Sequence, residues 1–162
     1  MRKLVVICSV LLFATMVWGQ GKIDSQWNCE AKPAVEHSID VGDQPGHAYG
    51  IGQGKCTAAK GAMGDVKEQE GTWTQFTDAT GTATPNHGVF IVTLASGDKV
   101  YYSYHGTSAM KDGKLETGTN KWTITGGTGK MKGVKGEGGC KGKGSPDGAG
   151  TWDCNGTYST AK

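Results

Sequence analysis

The chain has 162 residues, 28 of them glycine, with 36% hydrophobic residues and a formal net charge of +2. Arg2 is its only arginine. Without a guanidinium fork elsewhere the chain lacks the group best suited to bidentate recognition of phosphate or guanine, which argues against a nucleic-acid partner.

Arg2 and Lys3 precede an almost wholly apolar run from Leu4 to Val17, and Val17-Trp18-Gly19 supplies a cleavage point. Residues 1–19 therefore read as a secretory signal peptide, and residues 20–162 as one domain. The run is short for a membrane span, so no stable membrane insertion is expected after its removal. The expected location is secreted or periplasmic. Without Arg2 and Lys3 the remainder carries 15 basic residues against 15 acidic ones, a formal charge of zero.

Cys8 lies inside the leader, leaving Cys29, Cys56, Cys140 and Cys154. Four cysteines in an exported chain imply two disulfides, with three possible connectivities. Neither C-x-x-C spacing nor clustered histidines suggest a metal, and no cofactor is expected.

Short alternating runs broken by glycine and aspartate predict an all-β protein. Eight strands are expected near 26–38, 47–58, 71–77, 87–95, 99–110, 117–125, 132–143 and 148–159. Residues 57–70 read as the one helical turn or long polar loop, with Glu68 and Glu70 solvated. Consecutive strands with short links favour a single eight-stranded antiparallel up-and-down barrel, because closure removes exposed edges; a β-sandwich is the alternative.

Three hairpins set registers. Ser145-Pro146-Asp147-Gly148-Ala149 suits a three-residue loop with Gly148 left-handed, which pairs Ser145 with Ala149 and brings Cys140 opposite Cys154. Trp152 then faces Gly142, and Tyr158 faces Gly136, each an aromatic covering a glycine. By exclusion Cys29 pairs with Cys56. A loop at Ser96-Gly97-Asp98 pairs Leu94 with Val100, Val92 with Tyr102 and Phe90 with Tyr104. A three-residue loop at Lys111-Asp112-Gly113 sets Trp122 level with Tyr102 and Ile124 level with Val100, unless a bulge near Gly118 intervenes. Phe90, Val92, Leu94, Val100, Tyr102, Tyr104, Trp122 and Ile124 thus share the face expected to line the interior.

The segment Trp122–Lys143, WTITGGTGKMKGVKGEGGCKGK, resembles the strand–corner–strand segment of the allene oxide cyclase barrel and dirigent superfamily, and is similar also to small exported bacterial proteins. The resemblance covers about 22 residues. It implies an eight-stranded barrel with an apolar cavity, often oligomeric. Met131 stands where the family usually has an aromatic residue, and the four cysteines are not typical of its plant members. No catalytic residue carries over.

Gly126-Gly127-Thr128-Gly129-Lys130 superficially suggests a phosphate loop, but Met131 replaces the required Ser or Thr and a strand follows, so a tight corner is expected. Asp43 and His47 form a candidate acid–imidazole pair across a turn, or else Asp43 simply caps that turn. His105 is expected to point away from the interior. Asn155-Gly156-Thr157 fits a glycosylation acceptor in a eukaryotic secretory pathway. Five lysines between Lys130 and Lys143, with Glu137 the one acid among them, form a solvated face or a docking strip for an acidic cell-envelope partner.

The composite expectation is a non-catalytic barrel that holds a small apolar or amphipathic molecule among Phe90, Tyr102, Tyr104, Trp122 and Trp152. The alternatives are a packed core, and a cyclase- or isomerase-like enzyme acting on a lipid or phenolic intermediate. Superfamily analogy allows a homo-oligomer.

Overall fold

The computed structural model describes residues 19–160; the expected leader, apart from Gly19, lies outside the described residues. Ten strands alternate along the chain: β1 Gly19–Cys29, β2 Val35–Asp40, β3 Ala48–Lys60, β4 Ala62–Met63, β5 Val66–Ala79, β6 Ala83–Leu94, β7 Lys99–Lys111, β8 Lys114–Gly127, β9 Lys135–Gly144 and β10 Gly150–Thr160. Eight of them close an antiparallel barrel in the order β1, β3, β5, β6, β7, β8, β9, β10 and back to β1. No helix among the described residues is long and apolar enough to cross a membrane.

The single strand expected at 26–38 is two. β1 pairs with the second half of β3 and β2 with its first half, so the two share one place in the wall. The expected loop at 57–70 is mostly strand. β3 runs on to Lys60, β4 makes a small hairpin with Val66 and Lys67, and β5 begins at once.

Turn chemistry decides the hairpin registers. Between β9 and β10 the Ser145 amide donates to the Ala149 carbonyl, Gly148 is left-handed at φ +93°, and Cys140 lies opposite Cys154 as expected. Between β6 and β7 the left-handed residue, Gly97, is again the third of its loop. The loop is therefore Ala95-Ser96-Gly97, closed by Leu94 and Asp98, rather than Ser96-Gly97-Asp98. Val92 consequently faces Val100, and Phe90 faces Tyr102, two places from the expected register but with the same side chains inward. The β7–β8 loop has two residues, Asp112 and Gly113, both with positive φ, the mirror-image turn favoured by Asp-Gly. A bulge after Ala109 then sets Trp122 opposite Tyr104, and Ile124 opposite Tyr102, instead of the pairs expected.

Inward-facing side chains form the core. At one end Met63, Val92, Leu94, Val100, Ile124 and Val134 are buried, with Met131 of the short 3-10 turn Gly129–Met131 beside them, and they plug the barrel. Large rings lie over glycines of neighbouring strands. A Cβ on Gly71 would meet Phe90, one on Gly54 Trp73, one on Gly138 or Gly156 Trp122, and one on Gly118 or Gly142 Trp152. Tyr158 lies opposite Gly136 in register, but its ring covers Gly21 of β1.

Both disulfides, Cys29–Cys56 and Cys140–Cys154, join directly paired residues of adjacent strands. A barrel whose walls carry so many glycines gives up more backbone entropy on folding and buries less side-chain area per residue, so cross-links that restrict the unfolded chain count for more. Replacing Cys140 and Cys154 together by serine is expected to cost about 2–4 kcal/mol and lower the thermal midpoint by roughly 5–15 °C; a midpoint within a degree or two of the parent in calorimetry contradicts this account. Gly138→Ala drives a methyl into the Trp122 ring and the Asn155 carbonyl. It should cost about 1–3 kcal/mol in a urea titration.

Candidate functional site

The end of the barrel away from the plug is open. There the interior holds a cavity of about 410 Å³. Its mouth is framed by the Glu30–Pro33 connection, β2, the β7–β8 turn and the β9–β10 turn. Phe90, Tyr102, Tyr104, Trp122 and Trp152, the five residues expected to meet a ligand, all line it, and Trp27 and Trp73 join them. The structure thus divides the two alternatives between the two ends: a packed aliphatic plug at one, an aromatic chamber at the other. Trp27 meets Phe90 edge-on with ring centroids 5.0 Å apart, and Tyr102 meets Trp122 likewise at 5.3 Å. All four cysteines border the same cavity, so the staples also fix its wall.

A band of neutral polar groups crosses the chamber. The Tyr104 hydroxyl donates to Gln75 Oε1 at 3.2 Å, and Asn86 Nδ2 donates to Ser108 Oγ at 3.2 Å. Asn120 Oδ1 is buried without a partner. Burial pushes the Tyr102 and Tyr104 hydroxyls well above the ordinary phenol range, so both remain donors. An aromatic wall with a few fixed hydrogen-bonding groups is the usual make-up of a small-molecule site.

Glu68 corrects the sequence reading. It is not solvated; it is 6% exposed and lines the floor of the cavity, with Ser25 beside it. Burial pushes its carboxyl above the ordinary glutamate range; the Ser25 hydroxyl opposes that shift by less. Glu68 Oε2 and Ser25 Oγ each lack a partner at full hydrogen-bond geometry. Strict alternation from Gly71 would turn Gln69 inward. A bulge between Glu68 and Glu70 shifts the pattern and turns Glu68 inward instead.

No protein-family profile matches the chain, and no curated protein does. Among the solved structures that share its architecture are two pterocarpan synthase dirigent proteins. GePTS1 superposes with a TM-score of 0.51 at 12% identity over 99% of this chain and 98% of its own. PsPTS1 gives 0.51 and 12% over 89% and 97%. The chain shares the eight-stranded barrel fold of these proteins. At that identity the likeness concerns the fold alone.

In this barrel the glycine-rich corner holds no phosphate cradle. A Cβ on Gly129 would meet the Asp98 carboxylate, the Lys130 amide donates to Asp98 Oδ2 at 3.3 Å, and the Lys99 amide donates to Thr128 Oγ1 at 2.7 Å. The corner uses the protein's own acid to tie β8 to the β6–β7 turn. His105 is exposed on the outer wall, as expected, and so are Lys130, Lys132, Lys135, Lys141 and Lys143. Asn155 is exposed on β10.

Asp43 and His47 do meet. His47 Nδ1 lies 2.5 Å from Asp43 Oδ1, and its Nε2 lies 3.1 Å from Asp78 Oδ1. Both ring nitrogens are engaged, the residue is buried, and neither it nor Asp43 borders the cavity. The cluster ties the β2–β3 connection to β5. A general base needs a free nitrogen facing a substrate, and this imidazole has none.

The hydrogen bond with Asp43 raises the His47 pKa above its ordinary 6.5, against desolvation, and the same bond holds Asp43 below its ordinary 3.8. Stabilisation from His47 is present below about pH 6.5 and is lost as pH rises through the raised value. Stabilisation from Asp43 is present above about pH 4 and is lost as pH falls through the lowered one. The thermal deficit of His47→Gln relative to the parent should therefore be largest near pH 5 and shrink toward pH 9. A deficit that is flat or grows over that range removes the charged contact from the explanation.

Proposed function

We propose that the protein binds a small amphipathic molecule in the open half of the barrel and does so without turning it over. The observation that carries this reading is the chamber itself: about 410 Å³, walled by Trp27, Trp73, Phe90, Tyr104, Trp122 and Trp152, and crossed by Gln75, Asn86 and Asn120. The volume lies within the range of small-ligand sites, and the apolar walls with few polar groups suit a ring-bearing ligand. The fold is shared with two proteins named as pterocarpan synthases, which supports a small organic molecule as the ligand class.

The place of action is outside the cytoplasm, secreted or periplasmic. Two disulfides between paired strands need an oxidising compartment, and the basic-then-apolar N-terminus has the composition of an export signal.

Binding is read directly from tryptophan emission, because four of the five tryptophans border the chamber. Titration with cyclohexanol, which neither absorbs nor emits in the tryptophan range, should shift that emission saturably. Ser108→Trp, which places an indole in the upper chamber, should weaken the affinity at least tenfold while leaving the far-ultraviolet dichroism of the barrel in place. An emission spectrum unmoved by millimolar probe, in parent and variant alike, rejects the chamber as a binding site.

A further inference from the structure

Among the described residues the interior of the barrel holds one carboxyl, that of Glu68, and no cation to match it. Among the described residues that line the cavity, Lys114 and His37 are the cationic or potentially cationic ones, and both stand at the mouth. Lys114 is already engaged there, its Nζ donating to the Pro146 carbonyl at 2.6 Å. Three acids, Glu30, Glu36 and Asp147, share that mouth. The floor ends on Glu68, 6% exposed, whose Oε2 lies beside the Ser25 hydroxyl and Gly61 and whose carboxyl meets no cation of the protein. Room for the carboxyl is made by Gly61, where a Cβ would strike both Glu68 Oε2 and Ser25 Oγ.

Keeping an acid there is costly for folding. An apolar residue of similar size would pack as well and would leave no polar atom without a partner. The titratable group coupled to the carboxyl is the Tyr102 hydroxyl, which supplies no positive charge. Rings line the same cavity above this acid. Trp27, Phe90, Tyr102 and Trp122 form a linked series, with successive centroids 5.0, 6.4 and 5.3 Å apart. The faces of such rings attract cations, and desolvation strengthens the attraction. An acid-rimmed entrance favours the approach of a cation and opposes that of an anion.

We propose that the deep end of the cavity is a subsite for an organic ammonium, with Glu68 as its counter-ion and the rings of Trp27, Phe90, Tyr102 and Trp122 as its cage. This deepens the binding role proposed above and rests on it: the body of the ligand occupies the aromatic chamber and its protonated amine reaches the floor. An incoming ammonium gives Glu68 the positive charge it lacks. A carboxylate ligand meets a second carboxyl with no cation between them.

The test compares three probes of nearly one shape, 2-phenylethylamine, 2-phenylethanol and 3-phenylpropanoate, by isothermal titration at pH 7 and constant ionic strength. The amine should bind the parent protein at least tenfold more tightly than the alcohol, and the carboxylate at least tenfold more weakly. In Glu68→Gln the gap between amine and alcohol should close to within threefold. The comparison in the parent protein stands even if the variant folds poorly. Alcohol binding with no preference for the amine overturns the ammonium subsite and leaves the binding chamber standing. A preference that survives Glu68→Gln also overturns it, because the selectivity then belongs to the acids of the mouth. If none of the three probes binds, the chamber and the subsite fail together.

Discussion

The width of a closed eight-stranded sheet governs this molecule. Such a barrel is just wide enough for its own side chains to fill, and one that directs bulky aromatic residues inward has to find space for them at the wall. Here the space comes from glycines on the facing strands: Phe90 over Gly71, Trp73 over Gly54, Trp122 over Gly138 and Gly156, Trp152 over Gly118 and Gly142. Laid along the wall, most of the rings leave space between them, and Trp27 and Phe90 alone of the edge-on pairs meet from strands three places apart. The centre of that half stays open, and a cavity follows from the same pairing that lets the strands close.

The cost of this solution falls on stability. Glycines lose more backbone freedom on folding than other residues and give little area to bury. Two features compensate. The far end is filled with aliphatic and methionine side chains, Leu94, Val100, Val134 and Met63 among them, all but closed to solvent. The disulfides cross-link the wall beside the chamber, where aliphatic packing is absent: Cys140–Cys154 lies beside Asn120, and Cys29–Cys56 beside Gly71. One end holds the barrel together by burial, the other by covalent bonds, and the second is left free to carry an open site.

Much of this was legible in the chain, for reasons tied to particular residues. Gly148 marks the left-handed position of its loop, and the distance of Cys140 and Cys154 from it gives their pairing without any knowledge of the rest. Where the left-handed residue was misplaced within the loop, at Gly97, the register came out two positions away, yet every side chain kept its face because strand faces repeat every second residue. That is why Phe90, Tyr102, Tyr104, Trp122 and Trp152 could be assigned to the interior under an imperfect register. What stayed hidden depends on breaks in alternation. The split of the first wall position into β1 and β2 has no strong turn signal beyond Pro33. Glu68 sits in a run of charged and polar residues, Lys67 to Glu70, whose composition reads as solvated. One extra residue in β5 reverses its direction, and a bulge of that kind leaves no mark in composition.

The contrast between Glu68 and its surroundings bears on how the fold relates to chemistry. A barrel shared at 12% identity is maintained by turns, alternation and the glycine–aromatic fit, which many sequences satisfy. None of those demands a carboxyl at the floor, an amide at Asn120 or a bulge that turns Glu68 inward. A polar group buried without a partner works against folding, so its presence has to be explained by something other than the fold. In this chain Glu68 Oε2 and Asn120 Oδ1 are such atoms, both belong to residues that line the one chamber, and neither is matched by a protein cation within it. The wall therefore accounts for the shape of the cavity but not for the presence of these two residues.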